Sequence, residues 1–519
     1  MAFLAVRLEV VAGSEQSAAF RTSGTDLVVF HVRHPTVKAG GSHLGCGQAY
    51  SAWVAAPELD SGDSEGLLSR ARLGPWEGRR LLRSPSLTSQ LDFVRLLVAS
   101  AFGFAGPPAA GVVLAWMSVS AYGLSTAHHA AFGAWALALL GVAATGPTLV
   151  MAFFSGTLAD RMNRRTLMRL ANACGLLGVA ALAVVFYVDP ARHIALPGPA
   201  GFYVPEWFLW VLPLWAVVAV AAALIRPTLN SSIPQVVSKE SLGHANGVIL
   251  SASLVISGVG SLTVGFLLAP WGPVLTLLIP LAFFEIAAIA FATLESDVTG
   301  VRKTPRRSFA RDMTQGLRYV GRRTGLLELT LASLGVNFFA AIAAVEIPLY
   351  VDDWLLKGAL LLGALTFVAS LGAAVGSSAV NVIKYERHPG GYLALFVVST
   401  GVSLIALPFT HSPYAALGAM GSFGFFTGMA TTIYLVVIQR SVPNELLGRV
   451  FAADEVGSFA LTPLGQSVGG ILTAIRGIAF AYWVTGGGVA VLGAVMGGLR
   501  DLHRFAAGKD QFTDRVDPS

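Results

Sequence analysis

The sequence predicts an all-α membrane protein of twelve spanning helices, set out as two six-helix halves. Three observations predict it. Apolar residues make up 54% of the 519-residue chain and charged residues only 12%, with a mean hydropathy of +0.67. A soluble globular chain carries about 25% charge, so this one lacks the charge to cover a water-facing surface. Twelve apolar runs follow one another from residue 93 onward, each near the ~20 residues a helix needs to cross a bilayer. The longest connection between runs falls after the sixth and divides them six and six.

Taken in order, residues 1–88 precede the first run. They are of mixed composition, rich in Gly and Ser, and show no sustained period. The opening "MAFLAVRLEVVAG" is too short and too charged for a span, and it lacks the cleavage site of a signal peptide. "LVVFHVRHPTV" has strand character but no evident partner strand. The segment therefore reads as a disordered cytoplasmic tail or as sequence upstream of the true start, with a folded accessory domain as the alternative. Residues 89–294 hold the runs 93–122, 129–155, 166–188, 206–226, 244–269 and 273–294, the first with room for an interfacial turn at Pro107 and Pro108. A basic linker, 295–325, leads to a second set within 326–499: 326–350, 358–382, 391–409, 413–438, 447–472 and 477–499. A cytoplasmic tail, 500–519, closes the chain.

Cations in the connections set the orientation. The side following odd-numbered runs carries three, Arg192, Lys357 and Arg476, against twenty-two on the other side. Translocated loops avoid Lys and Arg, so the richer side and both termini are expected in the cytosol of a cell whose plasma (inner) membrane the chain spans. The net charge of +6 is thereby explained without nucleic acid, since the basic residues punctuate apolar runs and form no patch interleaved with exposed aromatics. Of the two cysteines, Cys46 lies in the tail and Cys174 in an apolar run, so neither a disulfide framework nor a metal cluster is written here.

Within the linker, "SFARDMTQGLRYVGRR" reads as a basic amphipathic helix on the inner leaflet. The two halves also echo each other. "VVSKESLGHANG" follows run four and "SVPNELLGRVFA" follows run ten; aligning Val237 with Val442 matches Glu240 with Glu445, Leu242 with Leu447 and Gly243 with Gly448. Internal repeats of this kind build many transporters.

After the second run comes "GTLADRMNRRTL", residues 156–167. Gly156 allows close helix approach at the boundary, and Leu158 completes the apolar part of the pattern. Asp160 offers an acceptor for a helix N-terminus. Arg161, Arg164 and Arg165 hold the loop in the cytosol and can bridge to carboxylates or lipid phosphates. The stretch resembles G-x-L-a-D-R-x-G-R-R, the signature loop between helices two and three of the major facilitator superfamily, with Asn163 in place of the last glycine. "SIPQVVSKESLGHANGVILS", "SFARDMTQGLRYVGRR" and "QRSVPNELLGRVFAADEVGSFALTPLGQSVGG" extend the likeness over nearly all of residues 90–500. They resemble the drug:proton antiporter-type branch that includes macrolide and siderophore exporters. The resemblance implies the major facilitator fold of two pseudo-symmetric bundles, and a latch in which the loop around Asp160 meets the start of helix eleven, where Arg449 is the candidate partner. Arginines that merely enforce topology are the alternative.

Helix eleven carries "TPLGQSVGG", in which Pro463, Gly465, Gly469 and Gly470 permit bending and tight packing. Its counterpart in helix five, "GVGSLTVGF", departs from the family's antiporter pattern, with Ser261 at the proline position and Val264 at one glycine.

Ionisable groups inside spans are costly in hydrocarbon and are functional candidates by default. Glu346, in "AAIAAVEIPLYV" of helix seven, is the leading candidate to exchange a proton for substrate, with Pro348 marking a bend beside it. Its alternative role is a snorkelling or structural carboxylate near the outer boundary. Glu285 on helix six is read first as a structural bond. Arg226, taken as ending helix four before Pro227, is either a gate or a topology anchor. Asn337, Tyr434 and Gln439, with the aromatics Trp116, Phe338 and Phe339, are candidate lining of the pathway, a composition suited to amphipathic compounds. Asp454 and Glu455 fall at the cytoplasmic mouth.

No G-x-x-x-x-G-K-[ST] loop is present, so ATP-driven transport by this chain alone is unsupported. Enzyme chemistry has little to work with, because the one adjacent histidine pair, His128–His129, has no acidic neighbour in sequence. What remains is a secondary transporter needing no cofactor or metal, whose partners are a small-molecule substrate, protons and the bilayer, and which works as a monomer. Export is the leading direction; an uptake symporter and a non-transporting sensor or scaffold of the same fold are the alternatives.

Overall fold

The computed structural model describes the backbone of residues 87–120, 126–161, 164–188, 193–195, 203–237, 242–294 and 309–508, together with five short strands between residues 9 and 44. The side chains of 152–165, which include the signature loop, and those of Arg226 and Glu455 lie outside the described set. The chain forms two units, Met1–Ser84 and Pro85–Ser519.

In the first unit, β1 (Glu9–Val11), β2 (Ala18–Arg21) and β3 (Leu27–Phe30) form an antiparallel sheet in that order, and β4 (Val37–Ala39) pairs with β5 (Ser42–Leu44). The strand expected within "LVVFHVRHPTV" thus has a partner, with Val28 opposite Phe20 and Val29 opposite Ala19. No alternation strong enough to advertise β2 precedes it in sequence, which is why the pairing escapes a one-strand reading.

The second unit is helical. Its first half comprises α1 (Leu87–Val119), α2 (Thr126–Arg161), α3 (Arg164–Val188), α4 (Glu206–Val236), α5 (Leu242–Thr276) and α6 (Leu278–Ala292). Between α3 and α4, β6 (His193–Ala195) and β7 (Tyr203–Pro205) form a small antiparallel hairpin that no hydropathy pattern announces. After the linker helix α7 (Phe309–Arg322), the second half comprises α8 (Thr324–Leu349), α9 (Ala359–Ala379), α10 (Pro389–Ile405), α11 (Pro413–Ser441), α12 (Asn444–Phe459), α13 (Thr462–Arg476) and α14 (Ile478–Gly498), followed by the short α15 (Arg500–Ala506).

Eleven helical stretches are individually long and apolar enough to span a bilayer. The twelfth is completed at Gly272, whose φ of 70° and ψ of 175° break helical geometry inside α5. The fifth span therefore ends at Trp271, and Pro273–Thr276 join α6 through the bond from Leu277 N–H to the Pro273 carbonyl. Span eleven is divided instead: α12 stops at Phe459 and α13 restarts at Thr462, just before Pro463. Pro463 has no N–H to offer the Phe459 carbonyl and stands in the first turn of α13, where no N–H is needed, which accounts for the break. Elsewhere proline does not stop a helix. α1 runs straight through Pro107 and Pro108, so the interfacial turn considered there is absent. Likewise α4 does not end at Arg226 but continues ten residues past it. The hydroxyls of Thr228 and Ser232 fold back onto the carbonyls of Leu224 and Thr228, at 2.7 and 2.8 Å, which is how a buried hydroxyl on a helix finds an acceptor.

A shift of 205 residues takes Val237 to Val442, and the same shift takes Gly272 to Gly477. Gly477, between α13 and α14, has φ 81° and ψ 167°. Both turns use a backbone region closed to residues with a Cβ, so the repeat seen faintly in sequence recurs as matched chain reversals. Gly272→Ala and Gly477→Ala are each expected to destabilise the detergent-solubilised protein by roughly 1–3 kcal/mol. Thermal unfolding of the two variants checks this, and an unchanged midpoint would count against strain at these turns.

The apolar core is unevenly shared. One cluster joins the first half to Ala343–Leu365, Leu404–Met420, Ile478 and Tyr482, all at the end opposite the basic linker. The linker end of the second half has a separate cluster around Leu326, Leu393, Ile433 and Phe505. Among the described side chains, the apolar packing that joins the two halves lies at the end opposite the linker.

Candidate translocation and coupling sites

The halves meet along two crossings, α2 against α13 and α5 against α9. Each is closed by a glycine. A Cβ on Gly265 would sit 2.5 Å from the Ala359 carbonyl oxygen and 3.1 Å from the Gly363 Cα; one on Gly470 would sit 2.6 Å from the Ala134 carbonyl and 2.9 Å from the Ala138 Cβ. The shift of 205 residues relates these two glycines as well. Gly469 and Gly465 do the same service toward α8, against Ile342 and Phe338 respectively. Within "TPLGQSVGG", the three glycines thus lie against neighbouring helices.

Gln466 lies between these glycines, 7% exposed. Its Oε1 accepts from the Thr145 hydroxyl at 2.9 Å, a polar contact from one half to the other. It fills the space above Gly141, where a Cβ would meet its Cδ at 2.5 Å. The signal for this residue was present, a lone amide in an apolar span between glycines, and an amide buried in hydrocarbon must find a partner.

Glu346 is fully buried, at 0% exposure. Its side chain turns toward α14, where the Thr485 hydroxyl donates to Oε1 at 2.8 Å, while Oε2 has no hydrogen-bond partner. One turn along α8, the Tyr350 ring meets the Tyr482 ring edge-on at 5.5 Å, and the Tyr482 hydroxyl is also buried without a partner. Residues four and three apart share a helix face, so Glu346/Tyr350 and Tyr482/Thr485 oppose each other as two pairs. Beyond Pro348 the helix widens into a π turn, Tyr350–Trp354, a distortion that frequently accompanies functional sites. This turn is tied down by bonds from Tyr350 Oη to the Leu407 carbonyl at 2.9 Å and from Trp354 Nε1 to the Thr410 carbonyl at 3.1 Å.

A second carboxylate, Asp454 on α12, is 5% exposed. Thr330 of α8 donates to its Oδ1 at 2.8 Å, and the Tyr434 hydroxyl of α11 lies 2.6 Å from both oxygens. Asp454 thus ties three spans together rather than standing at an open mouth, and Tyr434 serves it. Its spacing in sequence gives no hint of this, because its partners come from helices 20 and 124 residues away. Asn337, on the same helix as Thr330, donates back to Ser333 at 2.9 Å. Asp454→Ala would leave two buried hydroxyls without an acceptor. It is expected to cost about 2–6 kcal/mol, at roughly 1–3 kcal/mol per orphaned group; Asp454→Asn, which keeps an acceptor, should cost less. Thermal unfolding separates the two, and equal midpoints would dismiss the hub.

The remaining candidates stand apart. Glu285 sits on the exposed side of α6 beside Ile286, and the bond expected for it is not among the described contacts. Gln439 is exposed near the end of α11. The side chains of Gly156–Arg165 and of Arg226 fall outside the described set, so the latch contact between Asp160 and Arg449 is not visible. The elements that bear it are adjacent: α2 touches α12 and the linker helix α7. Among the described residues no cluster of His, Cys, Asp or Glu suits a metal.

Two bundles of six spans, related by an internal repeat and joined across glycine-tight crossings, define a multi-pass membrane carrier rather than an enzyme. More particularly, the chain belongs to the Major Facilitator Superfamily, whose family model matches residues 148–457. It is similar to the multidrug efflux pump Tap of Mycolicibacterium fortuitum, 24% identical over 369 residues that cover 69% of this chain and 85% of that protein. It is also similar to the enterobactin exporter EntS of Escherichia coli (strain SMS-3-5 / SECEC), 23% identical over 73% of this chain and 87% of that one. Among solved structures, the inward-open xylose transporter XylE from E. coli superposes with a TM-score of 0.58 at 12% identity, covering 79% of this chain and 95% of that one. The nucleoside transporter NupG gives 0.57 at 12% identity, covering 78% and 98%.

Proposed function

We infer that this transporter exports amphipathic small molecules from the cytosol in exchange for protons, by alternating access, as a monomer in the plasma membrane with both termini cytosolic. The observation that carries the carrier cycle is the pair of glycine-closed crossings, α2 on α13 and α5 on α9, along which one half can rock on the other. Among the described side chains, apolar packing between the halves lies opposite the basic linker, which suits a state sealed on the outside whose alternative would seal the other end. Names of the relatives, a drug pump and a siderophore exporter, support the outward direction. The buried Glu346 carboxyl, with one oxygen unpartnered, supports the proton. Asp160 is the proposed cytoplasmic latch, with Arg449 as its partner.

The test is extrusion of a fluorescent lipophilic cation from cells stripped of their own pumps. Expression is expected to lower accumulation, and a protonophore to restore it. Faster accumulation on expression would favour uptake, and no change in either direction would leave a sensor or scaffold as the better account.

A further inference from the structure

The linker helix α7 ends at Arg322, two residues before α8 begins its span, so it sits where the chain enters the bilayer. One side of it is spoken for. Gly316 is pressed against the Arg449 carbonyl, and a Cβ there would also sit 3.0 Å from the Ala453 Cβ; one turn on, Val320 is buried in the core at the linker end of the second half. α7 is therefore packed against α12 on this side. The opposite side, spanning a broad arc of the helix, is exposed: Thr314, Leu317, Arg318, Gly321 and Arg322. Leu317 is 49% exposed and lies at the edge of that arc nearest the packed face. Arg318 and Arg322, one turn apart, make no ion pair among the described residues. In the sequence, residues 302–323 hold eight cations against a single acid, Asp312.

An apolar edge beside a cationic face is the pattern of a helix lying in a bilayer interface, where each cation near an anionic surface adds to binding. We propose that the face bearing Leu317, Arg318 and Arg322 docks on the anionic phospholipid headgroups of the leaflet into which α8 inserts, with Leu317 reaching the acyl boundary. The occupant is the bilayer because charge complementarity and the point of membrane entry coincide on one helix face. This surface is separate from the buried acidic sites and stands or falls independently of the direction of transport.

The full-length protein, with Cys46→Ser, Cys174→Ala and a bimane-labelled Leu317→Cys, is placed in nanodiscs containing headgroup-nitroxide lipid. Strong quenching is expected in phosphatidylglycerol bilayers and weak quenching in phosphatidylcholine alone. Adding Arg318→Glu and Arg322→Glu should erase that difference, since losing even two cations lowers partition to an anionic surface about thirtyfold. An unchanged unfolding midpoint for this variant shows that α7 remains docked. Equal quenching in both lipids, absence of quenching in either, or a difference that survives the charge reversal would each overturn the proposal.

Discussion

Glu346→Gln is expected to leave the carrier folded while abolishing its response to a proton gradient. The amide preserves an acceptor for the Thr485 hydroxyl, which donates to Oε1 at 2.8 Å, and matches the carboxyl in size, so the packing of α8 on α14 is retained. What it removes is the capacity to hold and release a proton inside the span. Downhill exchange of substrate should persist, whereas accumulation driven by an imposed pH difference should vanish, and the rate should lose its dependence on pH. Glu346→Ala is the contrasting variant. It orphans the Thr485 hydroxyl at a position that is 0% exposed, which costs about 1–3 kcal/mol, and it should lower the unfolding midpoint where the glutamine variant does not. Transport by Glu346→Gln with an unaltered pH profile would remove this residue from the coupling role.

The other large effect concerns the seal between the halves. Gly470→Leu places a side chain where even a Cβ would lie 2.6 Å from the Ala134 backbone oxygen. Backbone cannot yield as a flexible side chain does, so the strain falls on the crossing of α13 with α2. Overpacking costs about 1–3 kcal/mol, and the upper end of that range changes a two-state population about a hundredfold. The arrangement closed by these crossings should lose occupancy to the opposite state and transport should fall. Spin labels at Trp271 and Lys357, one on each half, should report a longer separation. Gly265→Leu makes the equivalent intrusion against Ala359 on the other crossing and should reproduce the phenotype. Normal transport and unchanged separations in both variants would mean that these crossings do not gate.

The architecture was legible because lipid writes a coarse code. Apolar runs of about 20 residues and cations confined to alternate connections survive any detail of packing, and they located the spans to within a few residues. Boundaries failed where a local rule was overridden. Arg226–Pro227 resembles a helix end, yet α4 runs ten residues beyond it, and the paired prolines of α1 are absorbed in the same helix. Of the candidate sites, Glu346 could be picked out because a lone acid in hydrocarbon is conspicuous, but its orientation could not: a helix apolar on all sides has no face that announces its neighbour, and only the fold shows it turned toward α14. Asp454 was hidden more deeply, since its worth comes from Thr330 and Tyr434, brought together by three separate helices. Gln466 lay in view among glycines, and its meaning emerged only once α2 supplied Thr145.

Coupled movement across a sealed membrane tests the account most directly. Purified protein in liposomes, given a pH difference and a fluorescent amphipathic cation, is expected to move the cation uphill in the direction opposite to the protons, and to stop when the difference is collapsed. Movement of the cation with the protons, or indifference to the gradient in protein that is folded and inserted, would contradict it.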